Sequence, residues 1–180
     1  MTGEFRPELI DLFIKMPEKH RKIWKRMTID RIGGLYSPDV TIAPEGTPYL
    51  YRWYMQPNDK AQSNEMFHIQ IASDPERPLH DHPWDNVSVI LAGKYDEILN
   101  ICPDQMKVPI TVRRNKGDIV LRYAYYAHRL VLPEGTPYVM TRFVTGPKLR
   151  DWGFWYPDGW HHNEQHVAWR GNESIHVNRM

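Results

Sequence analysis

The segment "RPLHDHPWDN" sets two histidines, His80 and His82, on either side of Asp81. In an extended chain, residues i and i+2 point to the same face. Two imidazoles can then meet at one point, which suits Zn, Fe, Mn, Ni or Cu if a third ligand comes from elsewhere in the fold. H-x-H alone is a common chance pattern in a chain with nine histidines, and a buried histidine satisfied by hydrogen bonds is the competing reading. A third histidine, His128, opens the run "HRLVL", with ten residues between it and Gly117 in "GDIVLRYAYYAH". Asn86, seven residues before Gly93, stands where a carboxylate would be welcome to a metal.

These residues need elements to hold them. From about residue 40 the chain breaks into short β-branched or aromatic runs: 49–55, 66–72, 86–93, 94–101, 108–114, 118–124, 128–132 and 138–144. Turn signals such as "SDPERP", "NKGD" and "PEGTP" separate them. Short strands at close spacing without helices between them predict an antiparallel all-β sandwich or barrel. "PEGTPY" occurs at 44–49 and again at 133–138, as a turn segment before a strand each time. Before residue 40 the pattern is helical. Leu9, Leu12, Phe13 and Met16 repeat at helical spacing, and a second helix over "EKHRKIWKRM" would place Lys19, Lys22 and Arg26 on one solvated basic face. After residue 150 comes an aromatic tail with Trp152, Phe154, Trp155, Tyr156 and Trp160, read as packing over the barrel. His161, His162 and His166 in this tail are read as surface histidines rather than a second metal site. The expected organisation is thus a helical extension over 1–40, a β-barrel over 41–150 and the tail over 151–180.

The 180 residues carry a formal net charge of +1, which argues against a dedicated nucleic-acid or membrane surface. Cys102 is the single cysteine, which excludes an internal disulfide and a cysteine-based zinc cluster. A reducing cytoplasm is the expected home. Neither a signal peptide nor an apolar run of membrane-spanning length is visible.

The two histidine segments resemble the paired motifs of the cupin superfamily of jelly-roll proteins. The first motif is a glycine, H-x-H, a glutamate, then six residues and a glycine. His80, His82 and Gly93 match it, Asn86 occupies the glutamate position, and the leading glycine is absent. The second is G-x5-P-x-G-x2-H. Gly117 and His128 match its spacing, while Tyr123 and Tyr125 replace the proline and the second glycine. A longer likeness over 66–160 ("LHDHPW", "ILAGKYDE", "GDIVLR", "TGPKLRDWGFW", "PDGW") is to bacterial and phage cupin-like proteins with an H-D-H-P-W segment and a W-G-F…G-W tail. The resemblance implies a small antiparallel β-barrel in which His80, His82 and His128 hold a divalent transition metal, Fe(II) first, then Zn, Mn or Ni. Asn86 would add a weak amide oxygen or a hydrogen bond. Asp85 is sent to the opposite face by strand alternation.

A set of three neutral histidines leaves the ion at +2 and favours a small polar, anionic substrate bound to the metal. Oxygenase-like chemistry is the expectation, with a sugar-type isomerase, epimerase or dehydratase, or a non-catalytic binding module, as alternatives. Tyr95 and Glu97, on the strand after Gly93, are the candidate catalytic groups. Arg142, which interrupts the apolar "YVMTRFV", either pairs with Glu97 or holds a substrate anion. His68, on one face of its strand with Gln70, is read as a substrate-pocket residue or as a partner of the ligands, and not as a ligand itself. A homodimer through strand edges is expected of the family.

Overall fold

The computed structural model describes Glu18 and residues 38–165, apart from 44, 45, 56, 57, 59–61 and 106. The expected helical extension, including its basic face, and His166 with the last residues lie outside the described residues, Glu18 excepted. Within them run twelve strands: β1 (Val40–Ile42), β2 (Leu50–Tyr54), β3 (Asn64–Gln70), β4 (Leu79–His80), β5 (Asn86–Ala92), β6 (Lys94–Asn100), β7 (Ile110–Asn115), β8 (Ile119–Arg122), β9 (Ala127–Val131), β10 (Val139–Thr145), β11 (Gly153–Tyr156) and β12 (Gly159–His162). All eight sequence-predicted runs are strands. β1, β4, β11 and β12 are additional.

The strands form two six-stranded antiparallel sheets, in the orders β1-β2-β3-β10-β5-β8 and β12-β11-β4-β9-β6-β7. Eight of them nest. β3 pairs with β10, β4 with β9, β5 with β8 and β6 with β7. First pairs with last, and so on inward, with the pairs falling alternately in the two sheets. That is the strand plan of a jelly roll. The β1–β2 hairpin extends the first sheet beyond β3, and the β11–β12 hairpin extends the second beyond β4.

The all-β antiparallel class is as expected, but the barrel is not closed. Among the described residues no strand pairing joins the two sheets, and each keeps two edges. The aromatic tail does not merely pack over the jelly roll; its residues 153–162 hydrogen-bond into the second sheet as strands. The chain crosses from β5 in one sheet to β6 in the other at Gly93. Its φ is 76°, and a Cβ there would sit 2.2 Å from the Tyr138 carbonyl oxygen, so only glycine makes this corner.

Alternation fills the space between the sheets. Along β5, Asn86, Ser88 and Ile90 are buried at every second position; past the irregularity at Leu91, Ala92 joins Tyr51, Trp53, Ile69 and Met140 in a second apolar cluster on the other face of the first sheet. β6 contributes Tyr95, Glu97 and Leu99 in the same way. At one end the filling is apolar: Ile90, Tyr95, Val120 and Val139, flanked by Leu130 and Leu132. Burying each aliphatic side chain contributes roughly 1.5–3 kcal/mol, so this end carries much of the stability. Toward the other end the filling turns polar, with Asn86, Ser88, Glu97, Arg122 and His128 all buried. Buried polar groups persist only when partnered or when they bind something, and the histidines lie here. No helix among the described residues is long and apolar enough to cross a membrane.

Candidate metal centre

The nested topology places two distant histidines side by side. β4 is only two residues long and meets β9 at a single position, His80 opposite His128. On its other side His80 pairs with Phe154 of β11. The chain then leaves the ladder but stays tied on both flanks. Asp81 N donates to the Gly153 carbonyl (3.1 Å) and His82 N to that of Ala124 (3.0 Å), while Leu149 N donates to the Pro83 carbonyl (2.7 Å). These bonds satisfy the backbone of a segment too irregular to be a strand. They also keep His80 and His82 on one side and Asp81 on the other.

The three imidazoles make a nearly equilateral group, with ring centroids 5.1, 5.1 and 5.0 Å apart. One ring nitrogen from each lies within 4.8 Å of the others, the one such group of metal-ligating side chains among the described residues. His82 Nε2 and His128 Nε2 are 2.8 Å apart. Two lone pairs do not face each other at that distance unless a proton or a cation joins them. Burial, and then the charges that His128 and its neighbours would carry, hold His80 and His82 well below the usual histidine pKa. Neutral imidazole is the form that ligates metal. His80 also keeps a buried Nδ1 without a hydrogen-bond partner among the described residues. On these observations the residues fit a divalent transition metal. Aromatic rings wall the group: Trp84 stacks on His82 at 4.8 Å, and Trp152 meets His80 edge-on at 6.3 Å.

Glu97 stands behind His128. Its Oε1 accepts from His128 Nδ1–H (2.8 Å) and from Arg122 Nε (2.5 Å), and its Oε2 accepts from Arg114 Nε (2.8 Å). A proton on Nδ1 leaves the Nε2 lone pair of His128 directed at His82. A carboxylate behind a ligating imidazole fixes its tautomer and orientation. Burial works to raise the Glu97 pKa, but the hydrogen bond from His128 and the charge of Arg122 outweigh it and hold the group far below the usual carboxylate range. Arg122 is itself fully buried, and donates further to Ser88 Oγ and Tyr95 Oη, both at 3.0 Å.

A second buried carboxylate, Asp81, escaped the sequence reading. Its Oδ1 accepts from Gly153 N (2.7 Å), and its Oδ2 from the indole N–H of Trp155 (3.2 Å) and of Trp160 (2.9 Å). Arg150 Nη1 lies 3.1 Å from the same oxygen. Thus the aspartate of "LHDHPW" holds the arginine, glycine and tryptophans of "RDWGFW" and "DGW". Gly153 cannot be replaced without movement, because a Cβ would lie 2.0 Å from the His161 carbonyl oxygen.

The remaining sequence-predicted residues fall as follows. Asn86 is buried, turns its Oδ1 toward Arg122 (3.4 Å), and leaves Nδ2 without a partner among the described residues. Tyr95 is buried against Arg122, and burial raises its phenol pKa. Arg142 does not meet Glu97. It is on the exposed face of β10 and pairs with Glu65 (2.7 Å), so Arg122 makes the expected buried pair instead. Asp85 accepts from Ala124 N (2.7 Å), a structural bond. His161 pairs with Asp158 at the surface. His68 is buried, stacks on Phe143 at 4.9 Å and accepts from Arg52.

No protein-family model and no curated protein matches this sequence. Several solved structures are similar in shape. A cupin superfamily protein from Desulfitobacterium hafniense is 10% identical, with 55% of this chain and 78% of that one covered and a TM-score of 0.42. The polyketide cyclase RemF from Streptomyces resistomycificus is 17% identical, with 61% and 68% covered and a TM-score of 0.42. The Fe(II) protein HppE in complex with its substrate is 13% identical, with 61% and 58% covered and a TM-score of 0.48. The fold itself rests on the strand pairing of this chain. By that nested pairing in two facing sheets the chain has a jelly-roll fold, with three histidines gathered at its polar end.

Proposed function

We propose that His80, His82 and His128 hold a divalent transition metal, iron(II) before zinc, manganese or nickel, and that the chain is an enzyme acting on a small anionic molecule. The observation that carries this reading is the convergence of three imidazoles with no carboxylate among them. A metal bound there supplies a Lewis acid with open positions for substrate or dioxygen. The chain's own residues do the rest. Glu97 orients His128, and Arg122 and Arg114 together outweigh the charge of Glu97. The polar end therefore remains positive and draws an anion. Trp84 and Trp152 beside the histidines restrict water.

Oxygenase-like chemistry is favoured over isomerisation, because the two candidate proton carriers are poorly suited to that task. Glu97 is pinned as a carboxylate by three donors, and the Tyr95 phenol is bound to Arg122 with its pKa raised. A general acid–base catalyst needs a pKa near the working pH. The test is elemental analysis after anaerobic loading with iron, zinc, manganese and nickel, beside a His82→Ala variant. The wild type is expected to retain an ion and the variant to lose it. A wild type that retains none of the four metals sinks the proposal. Oxygen uptake by the iron-loaded protein supports the oxygenase reading, and turnover that survives chelation supports the isomerase alternative.

A further inference from the structure

Arg52 has an environment unlike that of Arg122, another inward-facing arginine. It lies on β2 directly opposite His68 of β3, and the next residue in that row is Thr141 of β10. Its neighbours Tyr51 and Trp53 belong to the opposite face of the sheet, so Arg52 turns toward the interior with His68. Arg122 satisfies its charge on Glu97 and its remaining donors on Ser88 and Tyr95. Arg52 makes one hydrogen bond, from Nε to His68 Nε2 at 2.9 Å, and forms no ion pair among the described residues. A half-buried guanidinium on a neutral partner is an uncompensated cation, and such groups are stabilised by an anion.

The chemistry of His68 sharpens this. Arg52 can only donate, so His68 accepts at Nε2 and carries its proton on Nδ1. His68 is held neutral by burial and by the Arg52 charge. The pair therefore presents only N–H donors: the guanidinium Nη groups and one imidazole N–H. Planar guanidinium donors match the oxygens of a carboxylate or phosphate bidentately. The pair lies toward the histidine triad: Phe143 stacks on His68 at 4.9 Å and lies 6.5 Å from His82.

We infer that Arg52 and His68 form an oxyanion-binding subsite, separated from the histidine triad by the Phe143 ring. It takes the carboxylate or phosphate of a substrate whose other end reaches the metal. The substrate is then a small bifunctional acid with an apolar middle that passes Phe143. The two-ended assignment rests on the metal reading above, whereas the oxyanion subsite itself does not. For that reason the experiment uses the metal-free full chain, and failure of metal binding leaves its outcome intact.

Inorganic phosphate and acetate are titrated separately into wild type and into Arg52→Gln, with tryptophan fluorescence or calorimetry as the readout. The wild type binds at least one of the two, and Arg52→Gln weakens that binding by about ten-fold or more. Which probe wins distinguishes phosphate from carboxylate recognition. Arg142→Gln, on the outer face, leaves the affinity unchanged. A second measurement needs no variant: the bound anion slows phenylglyoxal modification of Arg52, followed by peptide mass spectrometry. Absence of binding by the wild type, equal binding by Arg52→Gln, or no protection of Arg52 overturns the inference.

Discussion

Two buried carboxylates hold the histidine group from opposite sides, and they do so differently. Glu97 lies between the sheets and bonds the ring of His128 itself. Asp81 points away from the group and bonds the β11–β12 hairpin, on which the segment carrying His80 and His82 leans. Glu97 acts on a ligand's side chain; Asp81 acts on the backbone that carries two ligands. Glu97 neutralises arginines that would otherwise be buried and charged, whereas the Arg150 facing Asp81 keeps partial access to water. The comparison teaches that loss of Glu97 strikes both stability and metal affinity, while loss of Asp81 strikes the hairpin first.

The largest expected effect follows from Glu97→Gln. The change leaves Arg122, 1% exposed, without a counter-charge, which costs about 3–5 kcal/mol. It also leaves one amide oxygen for the three donors that two carboxylate oxygens served, which loosens the hold on the His128 tautomer and lowers metal affinity by about 10–100-fold. Denaturant melts and metal titration read the two separately. pH adds a check with a definite sign. The folded pKa of Glu97 lies below its ordinary value of 4.5, so the unfolded state binds the proton more readily. The stability from Glu97 is full above pH 4.5 and is lost as pH falls from there toward the folded pKa. The gap between wild type and variant should therefore narrow on acidification below pH 4.5. A gap that stays constant would mean that Glu97 is not the paired carboxylate described here.

Asp81→Asn comes next. The amide keeps one acceptor but turns an N–H₂ toward groups that are themselves donors, at a cost of about 1–3 kcal/mol. Hydrogen exchange should quicken at Gly153 and along 153–162. Metal affinity should fall less than in Glu97→Gln, because no histidine ring loses a partner. Equal losses of affinity in the two variants would break the distinction between them.

The two carboxylates also differ in how far the sequence disclosed them. Glu97 was singled out because it sits at an alternate position after the Gly93 corner. Its partner was misassigned to Arg142, for a physical reason. Strand parity is readable only when one face is polar, but β8 is apolar on its exposed face and β10 mixes apolar and polar residues on both. Ile119 and Leu121 are 73% and 57% exposed, yet they resemble core residues, so Arg122 did not stand out. Asp81 was invisible because its partners lie some seventy residues away, and a long-range acceptor leaves no local pattern. The jelly roll was legible from its short runs and turns. β4 was not, since a two-residue strand has no periodicity, although it is the strand that sets His80 beside His128.

Arg142→Gln supplies the smallest effect and the scale for the others. Arg142 and Glu65 form an ion pair whose side chains are 49% and 32% exposed, so water already screens both charges. Such pairs contribute roughly 0–1 kcal/mol. The variant should melt within about 1 kcal/mol of wild type and bind metal equally well. Because Arg142 and Arg122 differ in burial rather than in charge, the interval between Arg142→Gln and Glu97→Gln measures what desolvation adds to a carboxylate–arginine pair in this fold. A large loss of metal affinity in Arg142→Gln would return that residue to the interior and undo the assignment of Arg122 as the partner of Glu97.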